Sequence, residues 1–348
     1  MNRRTFVAFT GAAPFSPSIF GDEKTGFEET AAEFMKEFSV PGLSVAFAHR
    51  GKIKRSAAFG LANLKTKEAL STQHNFRIAS VSKPITSAGI FRLVEQGKLN
   101  LNNPVFGKSG ILKIEGPAGI TINHLLTHTS GGWPNDKNDP MFQEIDLDHA
   151  SLIDWTLKNQ SPKNAPGENY AYSNFGYCLL GRVIEKITGN SYAEFIAREI
   201  FRPCGIKSMH IGDGKPGDDE VEYFDENGKP IARPMNIARM DAHGGWVGTP
   251  TEMVKFAVHF DGFEKPADIL KKESIEAMTE YSGIEKSYAC GWKINRHGNY
   301  WHGGSLPGLS TILVRTQSGF CWAACVNTRR KGIGLALDRL MWKLSARI

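Results

Sequence analysis

From residue 27 onward, apolar side chains recur at Phe27, Ala31, Phe34 and Phe38, the spacing of one helix face, and Pro41-Gly42 ends the run. Two strand-like stretches follow at 43–49 and 53–60, and the Arg50-Gly51-Lys52 connection between them predicts a hairpin. The pattern then turns helical. Helices are predicted over 80–96, closed by Gly97, over 122–127, over 152–158, over 174–188, closed by Gly189, and over 192–200, halted by Pro203. Thr249-Pro250-Thr251-Glu252 opens another, with proline in the first turn and an acidic residue near the positive helix end. Strand-like runs return at 290–295, 299–302, 310–315 and 320–327, with turns at Arg296-His297-Gly298 and Thr316-Gln317-Ser318-Gly319, before a last helix at 333–344.

Strands therefore sit at both ends of the chain and helices between them. That order predicts an α/β (α+β) fold with one antiparallel sheet built from the N- and C-terminal strands, flanked by helices, and a mainly helical inserted region. The expected organisation is a single domain over residues 26–348, with its sheet region at about 26–65 and 285–348 and its helical region at about 66–284. Residues 207–234 have another texture, rich in Gly and Pro with seven acidic residues, and read as an exposed excursion. Asp213, Asp218, Asp219 and Glu220 miss a calcium-loop spacing, so the expectation there is a solvated loop.

Composition adds exclusions. The 348 residues are 41% hydrophobic and 22% charged, the balance of an ordinary globular chain. A charge of +6 without a dense Lys/Arg tract argues against a nucleic-acid partner, and no uninterrupted apolar run is long enough for a membrane span. The five cysteines, Cys178, Cys204, Cys290, Cys321 and Cys325, form no C-x-x-C pair and are expected as buried free thiols, Cys321 and Cys325 facing one side of a strand. Arg3-Arg4 ahead of the short apolar stretch 7–20 predicts a twin-arginine export signal within residues 1–25. An extracytoplasmic location follows, with a cytoplasmic one as the alternative, since Pro14 and Pro17 interrupt the stretch and no A-x-A site ends it.

The chemistry is carried by three short motifs. In Ser80-Val81-Ser82-Lys83, serine opens a predicted helix and lysine stands one turn later on the same face. A serine hydroxyl needs a neighbouring base or cation to become a nucleophile, and a helix N-terminus adds a positive dipole and free N–H groups. Tyr172-Ser173-Asn174 places a phenol and an amide two residues apart, on the same side of an extended segment, with Tyr172 a candidate general base and Asn174 able to orient Lys83. Trp301-His302-Gly303-Gly304-Ser305 starts on a strand whose glycines leave room for close approach, and a backbone N–H there could complete an oxyanion hole with that of Ser80. Each motif alone is common in proteins that do none of this. Their order is what carries information.

S-x-x-K, then Y-x-N about ninety residues on, then H-x-G on a C-terminal strand resembles the class C β-lactamase and D-alanyl-D-alanine carboxypeptidase superfamily. Stretches around His124-Leu125-Leu126-Thr127-His128-Thr129-Ser130-Gly131-Gly132 and Gly244-Gly245-Trp246 also resemble it, over roughly residues 27–348. The resemblance implies that Ser80 is acylated and that Lys83 and Tyr172 exchange its proton, with the formal base left open between them. It also implies that Asn174, His302, Gly303, Gly304 and Ser305 bind substrate and the oxyanion, with His302 lining the cleft, and that no cofactor or metal is needed. The dedicated β-lactamases usually carry Lys-Thr-Gly where this chain has His302-Gly303-Gly304. Losing that lysine removes a fixed charge for a substrate carboxylate. The expected activity is thus acyl-enzyme hydrolysis of a small-molecule ester or a D-amino-acid-type peptide or amide. A penicillin-binding or β-lactamase enzyme, and an inactive binding or scaffold relative, are the alternatives. No G-x-S-x-G is present, which sets aside the α/β-hydrolases.

Other positions receive weaker expectations. His124 and His128 lie four apart but lack the H-E-x-x-H glutamate and are not expected to bind metal. Trp133 and Trp246 either line the pocket or pack, and His243 and His297 have no evident partner. Substrate choice is expected to lie in 133–149 and 207–234.

Overall fold

A computed structural model describes residues 25–214, 217, 219–231, 235–281 and 283–348; the predicted export signal falls outside these. The chain begins with helix α1 (Thr25–Glu37) and the hairpin β1 (Gly42–His49) and β2 (Lys52–Asn63). The hairpin closes at His49 opposite Lys52. Arg50 and Gly51 both take positive φ (49° and 74°), the two-residue turn whose twist matches that of the strands. Short strands β3 (Glu68–Ala69) and β4 (Phe76–Arg77) lead into the helical region: α2 (Ser82–Glu95), α3 (Ile122–Leu126), α4 (Pro140–Gln143), α5 (His149–Asn159), α6 (Asn174–Thr188) and α7 (Tyr192–Ile196). Then come β5 (His210–Ile211), α8 (Asp241–Gly244), β6 (Trp246–Gly248), α9 (Pro250–Ala257) and α10 (Lys272–Thr279). The chain ends with β7 (Lys293–Ile294), β8 (Tyr300–Leu306), β9 (Leu309–Arg315), β10 (Phe320–Val326) and α11 (Ile333–Ser345).

The large sheet runs β3-β2-β1-β10-β9-β8-β7, with every pairing antiparallel, so the chain's two ends meet at β1 and β10. Its central strands are buried on both faces, and the period of two sorts their side chains into two cores. Cys321, Ala323 and Cys325 of β10 face the helical region, while Trp322, Ala324 and Val326 face α1 and α11. All five cysteines are buried and free. A small sheet, β4-β6-β5, lies beside the turn that carries Ser80. Helix α2 runs through the middle, buried from Ser82 to Phe91, as expected of a helix covered on all sides.

Three expectations need correction. The strand predicted at 290–295 is only two residues long, because Gly291 takes φ 80° and turns the chain just before it. The strand expected to end at 302 continues through both glycines to Leu306. The 207–234 excursion is not simply solvated: Val221, Tyr223 and Phe224 are buried, and Glu220 forms a buried ion pair with Arg77 (2.9 Å) while accepting from the Tyr223 hydroxyl (2.7 Å). Among the described residues, no helix is long and apolar enough to cross a membrane.

Candidate active site

Ser80 does not begin α2, as the sequence suggested, but sits in a 3-10 turn, Ala79–Val81, that runs directly into it. The turn is held from three sides. The Ile78 amide donates to the Trp246 carbonyl of β6 (2.9 Å), the Thr311 hydroxyl of β9 donates to the Ile78 carbonyl (3.0 Å), and the Tyr223 hydroxyl accepts from the Arg77 amide (2.8 Å). These bonds support Ala79 at φ 50°, a backbone position that costs a non-glycine residue about 1–2 kcal/mol. Gly304 of β8 lies against this turn. A Cβ there would collide with the Ile78 carbonyl oxygen and the Thr311 hydroxyl, so only glycine lets β8 come so close to Ser80.

Lys83 is fully buried and aims its ammonium at three acceptors: Ser80 Oγ (3.2 Å), Asn174 Oδ1 (2.8 Å) and the His243 carbonyl (3.0 Å). Its Nζ also lies 4.7 Å from the centre of the Tyr172 ring and 5.6 Å from that of Tyr177. Burial pulls the Lys83 amine down from its ordinary value to about 7, with the charge on Asp139 opposing the drop. Asn174 is the first residue of α6, capped by the Ser173 hydroxyl accepting from the Gly176 amide (3.1 Å), and its Nδ2 donates to Asp139 (2.7 Å). Tyr172 is half-buried; burial holds its phenol above the usual range, although hydrogen bonding with Ser80 pulls it down.

His302 does not line the open cleft. Alternation along β8 exposes Gly303 and Ser305 and turns His302 inward, where it is 2% exposed. The Ser173 amide donates to Nδ1 of the buried His128 (3.0 Å), so that ring carries its proton on Nε2 and donates to the Tyr288 hydroxyl (3.0 Å). Tyr288 in turn donates to His302 Nε2 (3.1 Å), and His302 Nδ1 donates to the Gly303 carbonyl (2.8 Å). Burial, and then the nearby Lys83, bring His302 down to about 3. It is a neutral ring. The His128 ring also packs on Tyr172, with centroids 4.3 Å apart.

Asp139, His128 and Tyr288 thus belong to the site, though only His128 stood out in the sequence, and then as one of a pair with His124. The pair is split: His124 closes the capping box of α3 with Thr121, whereas His128 lies past the helix end at φ 58°. The one local signal of Asp139-Pro140 is that of a capping residue before a first-turn proline, which says nothing of a site. Tyr288 lies in irregular chain ahead of β7 and announces nothing. His243 proves to be the residue whose carbonyl holds Lys83. Trp133 and Trp246 pack, their indoles donating to the Gln160 carbonyl (2.9 Å) and the Tyr192 hydroxyl (3.0 Å). Among the described residues, no cluster of three His, Cys, Asp or Glu side chains is placed to hold a metal.

The cleft in front of Ser80 encloses about 1140 Å³. Met141, Phe142, Ile145 and Met240 line it, with Gly303 to Ser305 of β8, and Lys293, Arg329, Arg330 and Lys331 also border it.

A family model described as Beta-lactamase matches residues 27–345. Penicillin-binding protein 4* of Bacillus subtilis (strain 168) is 29% identical over an alignment of 297 residues that covers 78% of this chain and 64% of that protein. Protein flp of Staphylococcus aureus (strain N315) is 24% identical over 307 residues, 85% of this chain and 61% of that one. The chain therefore spans less than two thirds of these relatives. Among solved structures, the D-amino acid amidase from Ochrobactrum anthropi SV3, complexed with D-phenylalanine, superposes with a TM-score of 0.78 at 23% identity, covering 94% of this chain and all of that one. The octameric penicillin-binding protein homologue from Pyrococcus abyssi superposes with a TM-score of 0.75 at 24% identity, over 91% of this chain and 77% of that one.

Proposed function

The chain belongs to the Beta-lactamase family, a family of serine hydrolases, and from that premise we propose that it hydrolyses a small ester or a D-amino-acid-type amide or peptide through an acyl-enzyme at Ser80. The observation that carries the reading is the 3.2 Å contact between the Lys83 amine and Ser80 Oγ, made by a lysine whose burial leaves it partly unprotonated near neutral pH.

In this mechanism Ser80 Oγ attacks the substrate carbonyl carbon and its proton passes to the neutral amine of Lys83. The charge that develops on the carbonyl oxygen is held by the backbone N–H groups of Ser80 and Ser305. The intermediate collapses with cleavage of the bond to the leaving group. The departing nitrogen or oxygen takes a proton from the Tyr172 hydroxyl, which recovers one from the Lys83 ammonium. Water then attacks the acyl carbon by the same route, giving the acid and restoring Ser80. Lys83 serves as base because burial favours its neutral form and disfavours the phenolate of Tyr172, which works as a neutral relay.

His302 supports this substrate class. A buried, neutral imidazole supplies no fixed cation for a β-lactam or peptide carboxylate at the third motif. The D-amino acid amidase likeness favours an amide of that type. The test is a panel of short-chain aryl esters, D-amino-acid amides, D-Ala-D-Ala peptides and a chromogenic cephalosporin, compared by kcat/KM. Ester or D-amide turnover well above cephalosporin turnover is expected, and the reverse order would sink the reading of His302. An acyl adduct that forms and does not turn over with any of them would mark a binding relative instead.

A further inference from the structure

We propose that Asp139 is a positioning residue for this hydrolysis: from across the Asn174 amide, its carboxylate fixes which way that amide faces and sets the pH at which Lys83 becomes a free amine. The inference rests on Lys83 acting as the base at Ser80.

The geometry is a three-part line, Asp139 Oδ2 to Asn174 Nδ2 at 2.7 Å and Asn174 Oδ1 to Lys83 Nζ at 2.8 Å. An ammonium group only donates and a carboxylate only accepts, so an amide between them has one orientation that satisfies both. Turned over, it would set Nδ2 against the ammonium and Oδ1 against the carboxylate. Asp139 and Lys83 therefore lock Asn174 from its two ends. Asp139 is 1% exposed and makes no direct ion pair among the described residues. Its other oxygen accepts from the Met141 amide (3.0 Å) and caps α4. A buried carboxylate with that little compensation is expensive unless charge lies within reach, and two cations do: Lys83 beyond the Asn174 amide, and Arg239, whose guanidinium binds the Met141 carbonyl.

The other groups around Lys83 are the rings of Tyr172 and Tyr177 on the α6 side, His302 on β8, His128 after α3, and the His243 carbonyl of α8. Burial keeps all three histidines neutral. Asp139 is then the charge that opposes the fall of Lys83 to about 7. Burial raises Asp139 itself to about 6, against its hydrogen bonds from Asn174 and Met141 and the pull of Lys83.

The test uses the full chain and needs no natural substrate. The rate of Ser80 labelling by a fluorophosphonate is followed against pH for the wild type, Asp139→Asn and Asp139→Ser. Asparagine keeps an acceptor for Asn174 Nδ2, and serine can still cap α4, so each variant spares a different structural role of Asp139 while both lose the charge. Removing the attraction makes the ammonium easier to deprotonate. The acid limb is expected to move to lower pH by about one unit in both variants. In Asp139→Ser, which no longer reaches Asn174 Nδ2, the high-pH labelling rate is expected to fall roughly tenfold as that amide loses its fixed orientation, and in Asp139→Asn, which keeps an acceptor there, to fall less. A lowered rate with an unmoved limb in both would reduce Asp139 to a helix cap and overturn the proposal, leaving the hydrolase reading intact. A wild type that does not label at Ser80 would overturn both.

Discussion

Lys83 is fully buried beside Ser80 and Tyr172 half-buried there, and burial moves their proton affinities in opposite directions because it disfavours the charged form of each. The amine becomes easier to deprotonate and the phenol harder. If Lys83 is the base, kcat/KM for an ester should rise with pH through an acid limb near 7 as the ammonium empties, and a limb near 10 would contradict the assignment. Replacing Tyr172 with Phe keeps the ring that Lys83 and His128 pack against but removes the relay, so turnover should fall by about 10²-fold with the melting temperature nearly unchanged. At this scale the sequence was informative where spacing does the work. Ser80 and Lys83 are neighbours through one helical turn, and Tyr172 and Asn174 through two residues. Asp139 and Tyr288 reach the site through tertiary packing, across 35 residues from Asn174 and 14 from His302, which no local pattern encodes.

The strand β8 shows how an element sets a site. The strand-like run was expected to end at residue 302, but antiparallel pairing to β9 carries it on, Gly304 opposite Thr311 and Ser305 opposite Ser310. The two glycines are not equivalent. A Cβ on Gly303 would meet nothing nearer than the Thr311 carbonyl oxygen at 3.7 Å, an ordinary contact, whereas one on Gly304 would be driven into the Ile78 carbonyl and the Thr311 hydroxyl. Gly303→Ala should therefore leave the melting temperature within experimental error, while Gly304→Ala should lower both melting temperature and kcat/KM by pushing β8 off the Ser80 turn. Equal behaviour of the two variants would contradict this account. The same alternation carries His302 inward, a detail that the motif alone did not fix because it depends on which face of β8 meets the helical region.

At the scale of the molecule, the sheet joining both chain ends and the inserted helices were legible from the order of periodic segments. The role of 207–234 was not, since its acidic composition resembles solvated loop until Arg77 is seen beside Glu220. That pair ties the excursion to β4, next to the Ser80 turn, and removing one partner strands a buried charge. Glu220→Ala should cost about 3–5 kcal/mol in chemical denaturation, and the Arg77→Met, Glu220→Leu double variant should recover much of it; a loss under about 1 kcal/mol for the single change would show the pair to be incidental. All of these elements, the large sheet edge, the small sheet, α2 and α6, converge on one hydroxyl. The most direct measurement is therefore mass spectrometry of the chain after fluorophosphonate treatment, first intact and then as peptides. The account predicts one adduct per chain, on Ser80, lost in Lys83→Met; labelling of another serine, or none with Ser80 intact, would contradict it.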